Sequence, residues 1–132
     1  MITEDYVSFE VAKLLKEKGF DAECRAAYTN YGQLFTTQIQ QYITNVVSSK
    51  GTLWDCIAPT HQMVMKWLRE VHNLFIEPYV IKNYSKKKLE YTYSIQDLDF
   101  QGSDDGIECC KNWDTPEQAC ETAIKYCLEH LI

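Results

Sequence analysis

Residues 88–95, Lys-Leu-Glu-Tyr-Thr-Tyr-Ser-Ile, alternate polar and apolar side chains without interruption. A period of two is typical of a β-strand with one buried face, so the sequence predicts a half-buried strand here. Residues 74–82 are its expected antiparallel partner. Pro78 lies within that partner and has no N–H to donate to a ladder, which predicts an edge strand or a bulge.

Shorter segments on either side of this pair also show strand character. Residues 22–28 alternate in the same way and are predicted to form a hairpin with residues 33–37, through a turn at Asn30-Tyr31-Gly32. A last short strand is expected at residues 107–111. Residues 38–51 fit neither period well, although a strand is slightly favoured.

End signals as well as periods predict two helices in the first half of the chain. Ser8 can cap a helix over residues 9–18, which Gly19 then ends. A central helix is expected to start with Pro59 at its first position, since a missing N–H has no partner there, and to end near His72. The apolar stripe predicted for this central helix consists of Val64, Trp67, Leu68, Val71 and Phe75.

The third helix has the clearest start signal in the chain. Thr115 is the expected cap, Pro116 takes the first position and Gln118 completes a T-x-x-Q capping box. The helix is predicted to continue to the end of the sequence. Its apolar stripe consists of Cys120, Ala123, Ile124, Cys127, Leu128 and Leu131.

The order of these elements predicts an α+β fold. Connections long enough for parallel strands are few, so the sequence favours an antiparallel sheet of about five strands. The N-terminal, central and C-terminal helices are expected to pack mainly on one face of that sheet. With 132 residues the chain is predicted to be a single domain, residues 1–132.

Composition excludes several classes of protein. No run approaches the roughly 18 apolar residues of a membrane span, and no export signal is evident, so we expect no membrane association and a cytoplasmic location. The net charge of −6 argues against nucleic-acid binding. The whole excess of acid belongs to residues 96–132, which hold 2 Lys+Arg and 9 Asp+Glu.

The acidic segment partly matches a calcium-binding loop. The match is weakened by Gln101 at the fifth position, by Asp104 where an apolar residue is usual, and by flanks that read as strands instead of helices. A solvated hairpin loop is the simpler interpretation, and no metal or other cofactor is predicted. The residues at positions 1, 3, 5, 6, 9 and 12 of the calcium template are Asp97, Asp99, Gln101, Gly102, Asp105 and Glu108.

Two charged segments are candidate interaction surfaces. The basic one combines three lysines with nearby tyrosines, as single-strand nucleic-acid surfaces do, but lysines at a hairpin turn also protect a sheet edge from pairing. The acidic one follows the predicted strand at residues 88–95. Together the candidates are Lys86, Lys87, Lys88, Asp97, Asp99, Asp104, Asp105 and Glu108.

The six cysteines are expected to be free thiols, because disulfide scaffolds are exported and richer in cysteine. Their spacing matches no usual zinc site. Of the adjacent pair Cys109 and Cys110, one is expected in the core and the other exposed. A thiol-dependent enzyme would need Cys56 or Cys110 beside a histidine. His61 and His72 are predicted to be exposed on the central helix.

Three phrases resemble a known family. They are residues 6–20, Tyr-Val-Ser-Phe-Glu-Val-Ala-Lys-Leu-Leu-Lys-Glu-Lys-Gly-Phe; the central Ala-Pro-Thr at 58–60 with Lys-Trp-Leu-Arg-Glu at 66–70; and Thr-Pro-Glu-Gln-Ala at 115–119 with Ala-Ile-Lys-Tyr at 123–126. Together they are similar to small uncharacterised proteins of gut anaerobic bacteria and their prophages or mobile elements. That resemblance implies no activity, cofactor or catalytic residue.

The leading functional expectation is a non-catalytic protein-interaction or regulatory domain that binds a protein partner or itself. Its 17 aromatic residues favour this hypothesis, since tyrosine and tryptophan are enriched at interfaces. Alternatives are an acidic nucleic-acid mimic that inhibits a basic partner, and a thiol-dependent enzyme. A DNA-binding regulator is a minor alternative, because the first helix is similar to that of winged-helix excisionases but a strand follows it.

Overall fold

The computed structural model describes residues 4–36, 55–97, 107–108 and 111–132, with only the backbone described at 107–108. The chain forms two compact units, Met1–Thr60 and His61–Ile132. Each unit combines an antiparallel sheet with one or more helices, which confirms the predicted α+β class. The single domain over residues 1–132 stays a prediction.

The first unit contains helix α1, Phe9–Glu17, and three short strands, β1 (Ala26–Tyr28), β2 (Leu34–Thr36) and β3 (Cys56–Ile57). Strand β1 is central and pairs antiparallel with β2 and with β3. The predicted hairpin is confirmed, although its first strand begins four residues later than expected. Residues 38–51, for which a strand was slightly favoured, lie outside the described residues.

Local chemistry fixes both ends of α1. The Ser8 hydroxyl accepts a 3.2 Å hydrogen bond from the Val11 N–H, as an N-cap does. Gly19 follows at a φ of 86°, which glycine adopts without steric cost. The Phe20 N–H then donates to the Leu15 carbonyl at 2.9 Å, so the chain folds back and both side chains are buried.

The second unit contains helix α2, His61–His72, strands β4 (Leu74–Asn83), β5 (Lys88–Asp97) and β6 (Ile107–Glu108), and helix α3, Pro116–Tyr126. A π-helical turn, Cys127–Leu131, continues α3. The strands form a sheet in the order β4-β5-β6, and α2 and α3 contact β4 and each other. Thr115 and Gln118 form the predicted capping box.

The prediction of one sheet is wrong: the strands form two sheets. Strand β1 uses both of its edges within the first unit, on β2 and on β3, so the first hairpin does not extend the β4–β5 pair. The helices are divided accordingly, with α1 in the first unit and α2 and α3 in the second. A period of two identifies a strand but not its neighbours.

The central helix also differs from its prediction. The Pro59 carbonyl accepts the Val7 N–H at 3.0 Å and Thr60 bridges Tyr6, so these residues are extended and α2 starts at His61. Trp67 is half-buried, and its ring meets that of His72 edge-on. Val71 is exposed and Phe75 belongs to β4, so the predicted stripe stops at Leu68.

Candidate functional site

The hairpin of β4 and β5 carries the most distinctive surface among the described residues. Its ladder is continuous from Leu74 opposite Asp97 to Asn83 opposite Lys88, ten pairs without a bulge. The connecting turn spans residues 84–87. The Asn83 side-chain oxygen accepts the Lys86 N–H at 3.1 Å, which fixes the start of the turn.

Hydrogen bonds at β5 determine which backbone groups of β4 face outward. The Tyr91 N–H donates to the Trp113 carbonyl at 2.8 Å, and Tyr91 accepts the Trp113 N–H at 2.7 Å. Tyr91 therefore turns its backbone groups away from β4, and its register partner Val80 turns its own away from β5. The same alternation points the nitrogen of Pro78 outward, where no ladder bond is lost. Among the strands that the structure describes, β4 therefore lies at the edge of its sheet, which confirms that expectation for Pro78, and its ladder to β5 has no bulge.

Apolar side chains are exposed along this edge. Val80, in the half of β4 that leads to the turn, is 51% exposed, and its neighbour Tyr79 is 40% exposed. Phe75 is also exposed, as is Tyr84 in the turn at 81%. Exposed apolar side chains that cluster on one element indicate a contact surface, whereas isolated ones carry no such meaning.

The predicted lysine cluster lies at the turn of this hairpin. Lys88 is 2.7 Å from Asp114 and Lys86 is 3.9 Å from Glu90. The hydrogen bond to Asp114 raises the pKa of Lys88 and lowers the pKa of Asp114. A shallow open cavity of about 470 Å³ lies beside them, lined by Lys82, Asn83, Tyr84, Lys87, Lys88 and Leu89.

Glu90 is a buried carboxylate that accepts a hydrogen bond from Asn83, the residue before the turn. Its residue is only 7% exposed, and its carboxylate accepts hydrogen bonds from the Asn83 amide at 2.6 Å and the Asn112 amide at 3.0 Å. These two bonds, the one from Asn83 first, lower the pKa of Glu90. The predicted alternation, with one buried face, does not hold at the start of β5, where the apolar Leu89 is 49% exposed and the charged Glu90 is buried.

The acidic candidates are described only in part. Asp97 ends β5, and Glu108 lies in β6, which pairs with β5. Asp99, Gln101, Asp104 and Asp105 lie outside the described residues. The calcium loop and the acidic surface therefore stay predictions. Within the described part of the chain, no three His, Cys, Asp or Glu side chains come together in a way that could hold a metal ion.

Four of the six cysteines are described, and all four are free and buried: Cys24, Cys56, Cys120 and Cys127. Burial raises the pKa of Cys24 and of Cys127 to about 12, and that of Cys56 to about 11. These three groups therefore stay thiols at neutral pH, which is unfavourable for a nucleophile. The adjacent pair Cys109 and Cys110 lies outside the described residues.

The histidines are not placed as predicted. His61 is buried instead of exposed, and its Nε2 lies 2.7 Å from a carboxylate oxygen of Glu121 on α3. His72 is half-buried, and its Nε2 has no hydrogen-bond partner among the described residues. The sequence offered no signal for the His61–Glu121 pair, which joins residues sixty positions apart.

The chain matches no protein-family model, and comparison with curated proteins and with solved structures finds no match. Among the described residues, no helix is both long enough and apolar enough to cross a membrane.

Proposed function

We propose that this chain is a non-catalytic protein-interaction domain that binds a partner through the outer edge of β4. The observation that carries the proposal is that β4, a ten-residue strand, lies at the edge of its described sheet. Its residue Val80 is 51% exposed and turns its backbone N–H and carbonyl outward. An extended segment that pairs with such an edge gains main-chain hydrogen bonds, and side-chain contacts supply specificity.

The surroundings of the edge support this proposal. Tyr79 and Phe75 supply exposed aromatic surface on one face of β4, and aromatic residues are enriched in protein interfaces. On the other face, Pro78 and Val80 are exposed. A strand that pairs with β4 would therefore contact apolar side chains on both faces of the sheet.

A cytoplasmic location goes with this proposal. The four described cysteines are free thiols although all of them are buried in the core, where a disulfide would be protected. Free thiols are the rule in the reducing cytoplasm.

Selection from a phage-displayed library of random peptides tests the proposal. The library is selected on immobilised wild-type protein, and enriched peptides are then measured on Val80→Pro and Val80→Thr. Proline removes the outward backbone N–H and spares the ladder to β5. Threonine keeps that backbone N–H and has a side chain of similar shape to valine.

We expect peptides whose affinity falls about tenfold or more on Val80→Pro, because that variant lacks the outward N–H, and changes little on Val80→Thr. A tenfold loss of affinity corresponds to about 1.4 kcal/mol. The proposal is wrong if no peptide is enriched, or if all enriched peptides bind the two variants equally well.

A further inference from the structure

We infer that the strand which occupies the edge of β4 is β4 of a second copy of this chain, paired antiparallel about a two-fold axis at Val80. This inference rests on the proposed function, because it uses the same edge. A two-fold axis makes the same patch meet itself, so the strand must be complementary to its own reverse.

The backbone restricts which residues can meet. Val80 turns its hydrogen-bonding groups outward, and so do the alternate residues on either side of it, Pro78 and Lys82. In an antiparallel pair, outward-facing residues must lie opposite one another if they are to bond. Only registers that place these residues opposite one another therefore form a ladder.

An axis at Val80 satisfies this condition with complementary neighbours. The two Val80 residues exchange two hydrogen bonds, and each Lys82 N–H donates to the Pro78 carbonyl of the other copy. The missing N–H of Pro78 removes one bond per copy and leaves four in total. On the other face of the strand, Tyr79 meets Ile81 and Glu77 meets Asn83.

Neighbouring registers are less complementary. An axis at Pro78 places two residues without N–H groups opposite each other, so that central bonding is lost. An axis at Lys82 opposes two lysines, which repel. An axis at Tyr79 places the exposed carboxylate of Glu77 opposite the apolar Ile81. An axis at Ile81 also opposes no like charges, but it pairs only residues 79–83 of each strand, whereas the axis at Val80 pairs residues 77–83 and retains its central bonds.

Charge complementarity along the hairpin favours the same arrangement. The turn end is basic, whereas Glu77 and Asp97 lie toward the other end. Antiparallel pairing places the basic turn of each copy beside the acidic end of the other. Salt screens charges that lie far apart, so the attraction between these two ends acts over short distances. Parallel pairing would superimpose the lysines. The basic residues at the turn end are Lys82, Lys86, Lys87 and Lys88.

Disulfide trapping tests the register directly. In a background of Cys109→Ser and Cys110→Ser, we compare Val80→Cys with Val71→Cys under mild oxidation. Val71 is the matched control, since it is the same residue type, is 59% exposed and lies on α2. Directly opposite residues of a hydrogen-bonded pair lie about 5.5 Å apart between Cα atoms, within the range that a disulfide spans.

We expect Val80→Cys to form a covalent dimer at least about tenfold faster than Val71→Cys. Sedimentation of proteins with all six native cysteines provides a second readout: the wild type forms a concentration-dependent dimer, and Val80→Glu raises the dimer dissociation constant about tenfold or more by opposing two carboxylates.

The inference is overturned if the wild type sediments as a monomer at every concentration, or if the two cysteine variants cross-link at the same rate. The peptide selection then separates the two proposals. Peptides that still distinguish Val80→Pro from Val80→Thr would leave the interaction domain standing with a different partner, whereas their absence would remove both.

Discussion

Tyr91 and Trp113 exchange both of their backbone hydrogen bonds, at 2.8 Å and 2.7 Å, and thereby set the direction of every peptide group in the hairpin. Because Tyr91 faces Trp113, odd-numbered residues of β4 bond to β5 and even-numbered ones face outward. Pro78 lies at an outward position, which explains how a ten-residue strand contains proline without a bulge.

This alternation predicts opposite outcomes for proline at two adjacent positions. Tyr79→Pro removes a ladder N–H to β5 and leaves its carbonyl partner unsatisfied, which should lower the free energy of unfolding by about 1–3 kcal/mol. Val80→Pro removes only an outward N–H and should cost much less. Urea unfolding of both variants measures the difference. Equal losses would show that the assignment of inward and outward positions is wrong.

The hydrogen bonds to Glu90 predict a pH dependence of stability. The Asn83 and Asn112 amides hold the pKa of Glu90 below its ordinary value, so its stabilising contribution is present above the unfolded-state pKa of about 4.3 and is lost as the pH falls through the folded-state pKa. We expect Glu90→Gln to be less stable than the wild type at pH 7, with the gap closing in acid.

Urea unfolding at a series of pH values measures this gap. Glu70→Gln is the control, because it removes an exposed carboxylate that lies 4.0 Å from Lys66 at the surface. A Glu90→Gln gap that stays constant down to pH 2 would contradict the prediction.

Sequence reasoning succeeded where structure depends on nearby residues. The Ser8 cap, the turn at Gly19 and the capping box of Thr115 with Gln118 each involve groups within a few positions of one another, and all are present. The edge position of β4 was also predictable, because Pro78 reports the missing ladder donor within the strand itself.

Sequence reasoning failed where a distant partner decides the outcome. Pro59 looked like a helix start, but its carbonyl is taken by Val7, fifty-two positions earlier. Glu90 is a polar member of the alternating segment, but it is buried, and the distant Asn112 supplies a hydrogen bond that makes this burial tolerable. Strand β3 has two residues, which is too short to show a period. The separate sheet that it forms with β1 and β2 could therefore not be inferred from the sequence.

Thiol reactivity should report the burial of the described cysteines. With pKa values raised by burial to about 11 for Cys56 and about 12 for Cys24 and Cys127, well under about 1% of each is thiolate at pH 8. We expect an aromatic disulfide reagent to label these three more than about a hundredfold faster in urea than in the native protein. Mass spectrometry identifies the labelled positions, and rapid native labelling of Cys56 would revive the thiol-dependent enzyme.

The capping box of α3 provides a test of how much one local motif stabilises the second unit. The Thr115 hydroxyl accepts the Gln118 N–H at 3.2 Å, and the Gln118 side chain accepts the Thr115 N–H at 3.3 Å. Thr115→Ala removes the first bond and should lower the free energy of unfolding by about 1 kcal/mol, whereas Thr115→Ser should retain most of it.

Thr122 is the matched control for that measurement, since it lies on the same helix and its hydroxyl donates to the Gln118 carbonyl at 2.8 Å. That carbonyl is already inside the helix, and alanine has the higher helix propensity, so Thr122→Ala should be neutral or slightly stabilising in urea unfolding. If Thr115→Ala and Thr122→Ala cost the same, the loss at Thr115 comes from removing a hydroxyl in general, and the cap contributes nothing of its own.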